Sequence, residues 1–368
     1  MLRGDSPTKM EESTGHGRDR NLKKLHSCFC NKQGGIVLSD SESLSREERN
    51  QANTFKGSEA HKTEGLVNQE NLKMWTNTIQ NIDCLDGLKK LPDRCVDLII
   101  ADPPYFKTIN ETWDFKWRTE EDYLKWAEKW IKELSRVAKP TACFYLFGYF
   151  RVLYLMVPLI TKHNFELRQQ IIVDKGMKSV SGRKTSTYKL FPTTTESILF
   201  FNYDNKPNIK KFLKDQQKIT GLSAKEINEK LGVKSNGGGV WSLYTGENIL
   251  AQVPTKEMWE KLEKVLNFKK DYSEITYVYN IQMGYSDVWN DIDFYEEERN
   301  HRTQKPVKLI ERLIRASSNP GHLILDPFMG SGSTAVAAKK LNRKFIGFEI
   351  DRQYYEESLK RLQQTTLA

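Results

Sequence analysis

The sequence predicts an α/β fold whose core is split in two by an inserted module. Three observations carry this. Short apolar runs alternate with amphipathic helices. Two of those runs, in "IIADPPYFKT" (99–108) and "LILDPFMGSGSTA" (323–335), end on an aspartate followed by proline, where a parallel strand would meet its loop. Between about residues 203 and 300 the alternation breaks and afterwards returns. The chain is therefore divided into a polar extension (1–72), a first half of the core (73–202), an insert (203–300) and a second half of the core (301–368).

Residues 1–72 are rich in Ser, Glu, Lys, Arg and Asn without a sustained period, which predicts a mostly disordered extension. Its "HSCFC" (His26 to Cys30) has no second ligand pair at zinc-finger spacing, so no metal is assigned. "TIQNIDCLDGLKKLPDRCVDLIIADPPY" reads as strand, short helix, strand, and that alternation predicts a parallel sheet. In "RTEEDYLKWAEKWIKELSRVAKP" a helical stripe of Tyr123, Leu124, Trp126, Ala127, Trp130, Ile131, Leu134 and Val137 starts at a capping pair, Thr119 and Asp122, and stops before Pro140. Its aromatic residues are read as core. "ACFYLFG", "FELRQQIIV" and "ESILFFNY" read as further strands. After the insert come the helix "QKPVKLIERLIRASS", strand "HLILD", a glycine loop, helix "TAVAAKKL", strand "KFIGFEI" and a closing helix from about Arg352.

No run approaches the roughly 18 to 20 apolar residues of a membrane span, and the first residues lack a secretory apolar stretch. A soluble protein of the cytoplasm, or of the nucleus in a eukaryotic host, is expected. The five cysteines, an odd number, suit a reducing compartment better than a disulfide framework. A net charge of +9 makes a polyanion a reasonable partner.

The glycine loop narrows the ligand. Gly330 and Gly332 permit left-handed backbone and close approach at a helix N-terminus near Ser333. Glu349 ends the next strand, 23 residues after Asp326, where an open α/β sheet sets a carboxylate against ribose hydroxyls. The loop lacks the G-x-G-x-x-G of dinucleotide sites and the lysine of a P-loop. An acidic residue, Asp326, beside the glycines suits a ligand with a positive amino-acid end, and S-adenosyl-L-methionine fits.

With these motifs in this order, the chain resembles the β-class DNA amino-methyltransferases. "NIDCLDGL" (81–88), "DPPY" (102–105), "TQKP" (303–306), "DPFMGSGST" (326–334) and "FIGFE" (345–349) carry the resemblance, which covers about residues 76–202 and 302–363. It implies a Rossmann-like methyltransferase fold with a permuted motif order, the catalytic half before a target-recognition insert and the cofactor-binding half after it. It also implies that Asp102 and the Pro103 carbonyl accept the N–H groups of an exocyclic amine, that Pro104 stiffens the turn, and that Tyr105 stacks on a flipped base. Asp83 and Cys84 are implied to bind the cofactor, Asp83 at its adenine amine, with Glu349 at its ribose, Phe328 at its ring and Lys305 at its carboxylate. Asp326, Pro327, Gly330, Ser331, Gly332, Ser333 and Thr334 would form the loop around it. Two departures stand out: Val173 where many relatives have tryptophan, and His301-Arg302 where they have His-Pro.

The expected substrate is adenine in double-stranded DNA, because aspartate opens the catalytic motif. Cytosine's exocyclic amine is the alternative, and a catalytically idle DNA-binding regulator is a third. A paired restriction endonuclease and a monomer or homodimer are what the resemblance allows. In the insert, Lys210, Lys211 and Lys214 are candidate phosphate contacts, Trp241 and Trp259 are read as local core, and "SAKEINEKLG" carries capping-box spacing at Ser223 and Glu226.

Overall fold

The computed structural model describes residues 66–106, 117–180, 189, 191–233, 239–246, 250–280, 283–296 and 304–367. A helix over 66–75 (α1) opens this region. It moves the boundary of the polar extension, which was placed at 72: Leu72 and Trp75 pack on the core, Trp75 edge-on to Phe348. The N-terminal cysteine pair and His26 lie outside the described residues.

The first half of the core runs β1 (Thr78–Asn81), α2 (Cys84–Lys89), β2 (Val96–Ala101), α3 (Glu120–Val137), β3 (Ala138–Gly148), α4 (Phe150–Lys162), β4 (Phe165–Asp174) and β5 (Thr195–Tyr203). The α3 boundary follows its chemistry. Thr119 and Asp122 form the expected reciprocal cap, and Tyr123, Ala127, Trp130, Ile131, Leu134 and Val137 are buried along one stripe. Helix α4 was not anticipated; apolar around much of its surface and carrying Pro158 inside, it lacks a clean amphipathic signature.

The insert contributes α5 (Lys206–Thr220), α6 (Ala224–Lys230), α7 (Gly239–Thr245), α8 (Lys256–Leu266) and the two-residue β6 (Val288–Trp289). The helices close over their own core, with Trp241 and Trp259 buried beside Ile209, Leu213, Ile227 and Leu262, as expected of local core residues. Ser223 and Glu226 form the predicted capping box. The second half of the core is α9 (Val307–Ser317), β7 (Leu323–Asp326), α10 (Ser333–Lys340), β8 (Lys344–Glu349) and α11 (Arg352–Leu367).

One eight-stranded sheet joins both halves in the order β1-β8-β7-β2-β3-β5-β4-β6. The expectation of a parallel sheet needs correction: β5 runs antiparallel to both β3 and β4, while the other pairings are parallel. The reason is the connection. Helix α4 carries the chain back between β3 and β4, whereas residues 175–194 join β4 to β5 with only the 3₁₀ turn Met177–Val180 among their described positions. Side chains alternate between two apolar layers: Ile99, Ala101, Phe144 and Leu146 face α3 and α4, while Leu98, Ile100, Tyr145 and Phe147 face α9 and α10. Among the described residues no helix is long and apolar enough to cross a membrane.

Candidate active site

The two Asp-Pro stretches meet because β7 and β2 are neighbours, in register at Leu98 with Ile324 and Ile99 with Leu325. From this pair the chain winds outward in opposite directions, towards β8 and towards β3, so a crevice opens at their carboxyl ends. Asp102 follows β2 and Asp326 ends β7. Asp83 follows β1 and Glu349 ends β8, which pair at Asn81 with Glu349. Four adjoining strand ends thus carry four carboxylates to the rim of one cavity of about 430 Å³.

The glycine loop is held by two of these carboxylates, Glu349 and Asp326. Gly330 (φ +53°) and Gly332 (φ +85°) are left-handed, and a Cβ on Gly332 would meet Ser358 Cβ at 2.9 Å. Glu349 Oε2 accepts the Gly330 N–H at 2.7 Å and its Oε1 accepts the Asp351 N–H at 2.8 Å. Asp326 Oδ1 accepts the Phe328 N–H at 3.0 Å while Thr334 Oγ1 donates to Oδ2 at 2.5 Å. Burial pushes the Asp326 carboxyl up to about 7 and also raises that of Glu349. Arg361 on α11 donates to the Ser331 carbonyl and to the hydroxyls of Ser331 and Ser333. The Ser333 hydroxyl in turn donates to the Lys305 carbonyl at 2.7 Å.

The remaining wall is apolar and aromatic. Phe328 packs edge-on against Trp130 at 5.3 Å and tilted against Trp126 at 5.9 Å, with one face towards a cavity also lined by Ile82, Cys84, Pro327 and Phe348. Asp83 caps α2 by accepting the Leu85 N–H at 2.9 Å and also lines the cavity. The sequence candidates of the motifs are therefore assembled around one space.

The "DPPY" turn sits at the opposite side, in a charge cluster. Tyr105 Oη lies 2.8 Å from Asp102 Oδ1 and 3.0 Å from Glu196 Oε1, so one hydroxyl proton faces two carboxylates. Lys305 Nζ donates to Asp102 Oδ2 at 2.7 Å, lies 3.4 Å from Glu196 Oε1, and reaches the Tyr105 oxygen at 3.3 Å. Lys175 Nζ donates to Glu196 Oε2 at 3.0 Å. Burial opposes the charge on Lys305, but Asp102 and Glu196 outweigh it and raise its pKa. Burial likewise opposes ionisation of Glu196, and Lys305 and Lys175 outweigh it to hold this carboxyl below its usual range. Burial, then Asp102 and Glu196, push the Tyr105 hydroxyl well above its usual range.

The resemblance implies that Lys305 meets the cofactor's carboxylate; in the structure it lines the cavity and its ammonium pairs with Asp102 and Glu196. The Pro104 carbonyl accepts the Tyr123 hydroxyl at 3.0 Å. Sequence reading missed Glu196, Lys175, Tyr123 and Arg361. Of these only Glu196 left a signal, a lone carboxylate opening the apolar run "ESILFFNY". Lys210, Lys211 and Lys214 lie on α5 of the insert, Lys211 and Lys214 exposed, and none of them lines the cavity. Among the described residues no group of three His, Cys, Asp or Glu side chains is placed to hold a metal.

The sheet's switch point opens on a left-handed glycine loop, a strand-end carboxylate and an Asp-Pro-Pro-Tyr turn, the layout of a nucleoside-binding α/β protein. A family model described as DNA methylase, of the N6/N4 methyltransferase type, matches residues 96–360, and the chain belongs to that family. It is 30% identical over 292 residues to the type II methyltransferase M1.MboII of Moraxella bovis, spanning 77% of this chain and 95% of that relative. With the DNA adenine methyltransferase YhdJ of Escherichia coli it shares 29% identity over 296 residues, 77% of this chain and 82% of the relative. Among solved structures, the M1.HpyAVI–SAM complex is similar with a TM-score of 0.47 and 20% identity, over 77% of this chain and 98% of the other.

Proposed function

We propose that the chain transfers a methyl group from S-adenosyl-L-methionine to the exocyclic N6 of adenine in double-stranded DNA. The observation that carries this reading is the convergence of the Asp102–Tyr105 turn and the glycine loop on a single cavity. The cavity suits the cofactor by its donor set. It is lined by five carboxylates (Asp83, Asp102, Asp326, Glu349 and Asp351) against one ammonium, Lys305, which is itself paired. Such a wall favours a cation with hydroxyls and an amine to donate, and disfavours a polyphosphate.

When bound, S-adenosyl-L-methionine supplies an electrophilic methyl on a sulfonium that leaves as a neutral thioether. Glu349 and Asp83 accept from the nucleoside, and Phe328 covers its ring. An adenine amine is a poor nucleophile because its lone pair is delocalised into the ring. Asp102 and the Pro103 carbonyl each accept one of its N–H groups, which draws the nitrogen towards tetrahedral geometry and aims the lone pair. Tyr105 offers a stacking face to the extruded base, about 1–3 kcal/mol that offsets part of the unstacking cost. No strong base is required, since the product sheds its proton after transfer; positioning and charge stabilisation carry the rate.

The experiment is incubation of the full chain with methyl-labelled cofactor and DNA, followed by nucleoside mass spectrometry. N6-methyladenine is expected. Methylated cytosine alone would overturn the base while retaining the family, and cofactor binding without any transfer would favour an idle DNA-binding regulator.

Asp326 gives this reading a pH signature. Without ligand its buried carboxyl keeps its proton up to about pH 7, whereas a cationic ligand beside it favours the carboxylate. Binding then requires proton release below that pH, so cofactor affinity should rise as pH climbs from ~5 to ~7 and level off above. Asp326→Asn should flatten the rise in calorimetric titrations.

We further assign DNA contact to the insert. Reversing the charge of Lys210, Lys211 and Lys214 together should weaken binding across sequences and reduce the slope of log affinity against log salt by up to about 3. An unaltered slope would place the phosphate-contacting face elsewhere.

A further inference from the structure

We propose that Glu196 is a positioning residue for the reaction, serving as the exchange acceptor that releases Asp102 to the substrate amine. The inference rests on the methyl-transfer reading above. Both oxygens of Asp102 are engaged, Oδ1 by the Tyr105 hydroxyl at 2.8 Å and Oδ2 by the Lys305 ammonium at 2.7 Å. A carboxylate oxygen can accept more than one bond, but one already facing a hydroxyl or an ammonium is a weaker acceptor for a third donor. Asp102 has to aim a strong acceptor at the amine for the lone pair to turn towards the methyl group. That acceptor is strongest when one of the two donors yields.

Glu196 is placed to receive both. Its Oε1 lies 3.0 Å from the same hydroxyl and 3.4 Å from the same ammonium, so a small rotation of either donor transfers its bond from Asp102 to Glu196. Its other oxygen is anchored by Lys175 at 3.0 Å, which fixes the carboxylate and keeps it charged beside Lys305. Among the described residues, the titratable groups that face the cluster are Asp102 after β2, Tyr105 in the turn, Tyr123 on α3, Lys175 after β4, Glu196 on β5, Lys305 before α9 and, on the cofactor side, Asp326 with Glu349 behind it. The Tyr105 hydroxyl has one proton and two carboxylates to choose between. Substrate entry decides the choice: the amine takes the position on Asp102 Oδ1, and the tyrosine proton turns to Glu196.

The test is a double-mutant cycle in single-turnover transfer with Glu196→Gln, Tyr105→Phe and the pair, each shown by a melting curve to be folded at the assay temperature and by titration to keep its cofactor affinity. The glutamine keeps the shape of the side chain but loses the charge that competes for the hydroxyl. Glu196→Gln alone should lower the transfer rate about 10- to 100-fold, with the DNA concentration for half-saturation shifting much less. Removing the hydroxyl removes the competition, so in the Tyr105→Phe background the same change should lose no more than about threefold. Additive losses, or a Glu196→Gln chain as fast as the wild type, overturn the exchange. If the wild-type chain transfers no methyl group to DNA, the functional reading falls and the inference with it; transfer by the wild type with additive losses overturns the inference alone.

Discussion

Asp102→Ala is expected to reduce single-turnover methyl transfer by about a thousandfold while cofactor affinity changes by no more than about threefold. The acceptor it removes is the one that orients the amine, a role exerted as the transition state forms. A structural effect accompanies the chemical one. Lys305 is buried, and without Asp102 it keeps Glu196 as its remaining carboxylate, so the melting temperature should also fall. Asp102→Asn separates the two effects, because it retains one acceptor oxygen and most of the packing; it should melt nearer to the wild type and transfer faster than the alanine variant. Undiminished transfer by Asp102→Ala would overturn the mechanism.

Glu349→Ala carries the second large effect. The carboxylate accepts two backbone N–H groups, one from Gly330 in the glycine loop and one from Asp351 at the start of the following turn. Charge-assisted bonds of this kind contribute about 1.5–3 kcal/mol each. Their loss frees a left-handed loop as well as removing the ribose acceptor, so cofactor affinity should fall at least about a hundredfold. Isothermal titration against S-adenosyl-L-methionine, with a melting curve to confirm folding, gives the result directly. Affinity unchanged in a folded variant would remove Glu349 from the cofactor site.

Apart from α4, the order of elements in both halves of the core was legible because its signals are local. The α3 stripe repeats every three or four residues, and each Asp-Pro pair closes its own apolar run. Strand direction was not legible, since "ESILFFNY" has the same composition whichever way it runs; the length and content of the connection before it decide. The charge cluster was half visible. Asp102 and Tyr105 lie three residues apart in one motif, but Glu196 and Lys305 follow Asp102 by 94 and 203 positions and meet it only once β5 has reversed and β7 has inserted next to β2. Lys305 directly precedes Pro306 and the α9 helix, and its pairing with Asp102 and Glu196 could not be read from that place in the sequence.

The bond from the Ser333 hydroxyl to the Lys305 carbonyl joins two ligand sites that are otherwise separate in the chain. Ser333 begins the helix that follows the glycine loop, and Lys305 holds Asp102, the acceptor proposed for the target amine. Any ligand that stiffens the loop therefore also stiffens the backbone behind that acceptor. Thermodynamic linkage makes the relation reciprocal: cofactor and DNA should each bind more tightly in the presence of the other, by the same factor whichever is added first. A single serine at the cavity wall then sets part of the cooperativity between cofactor and DNA.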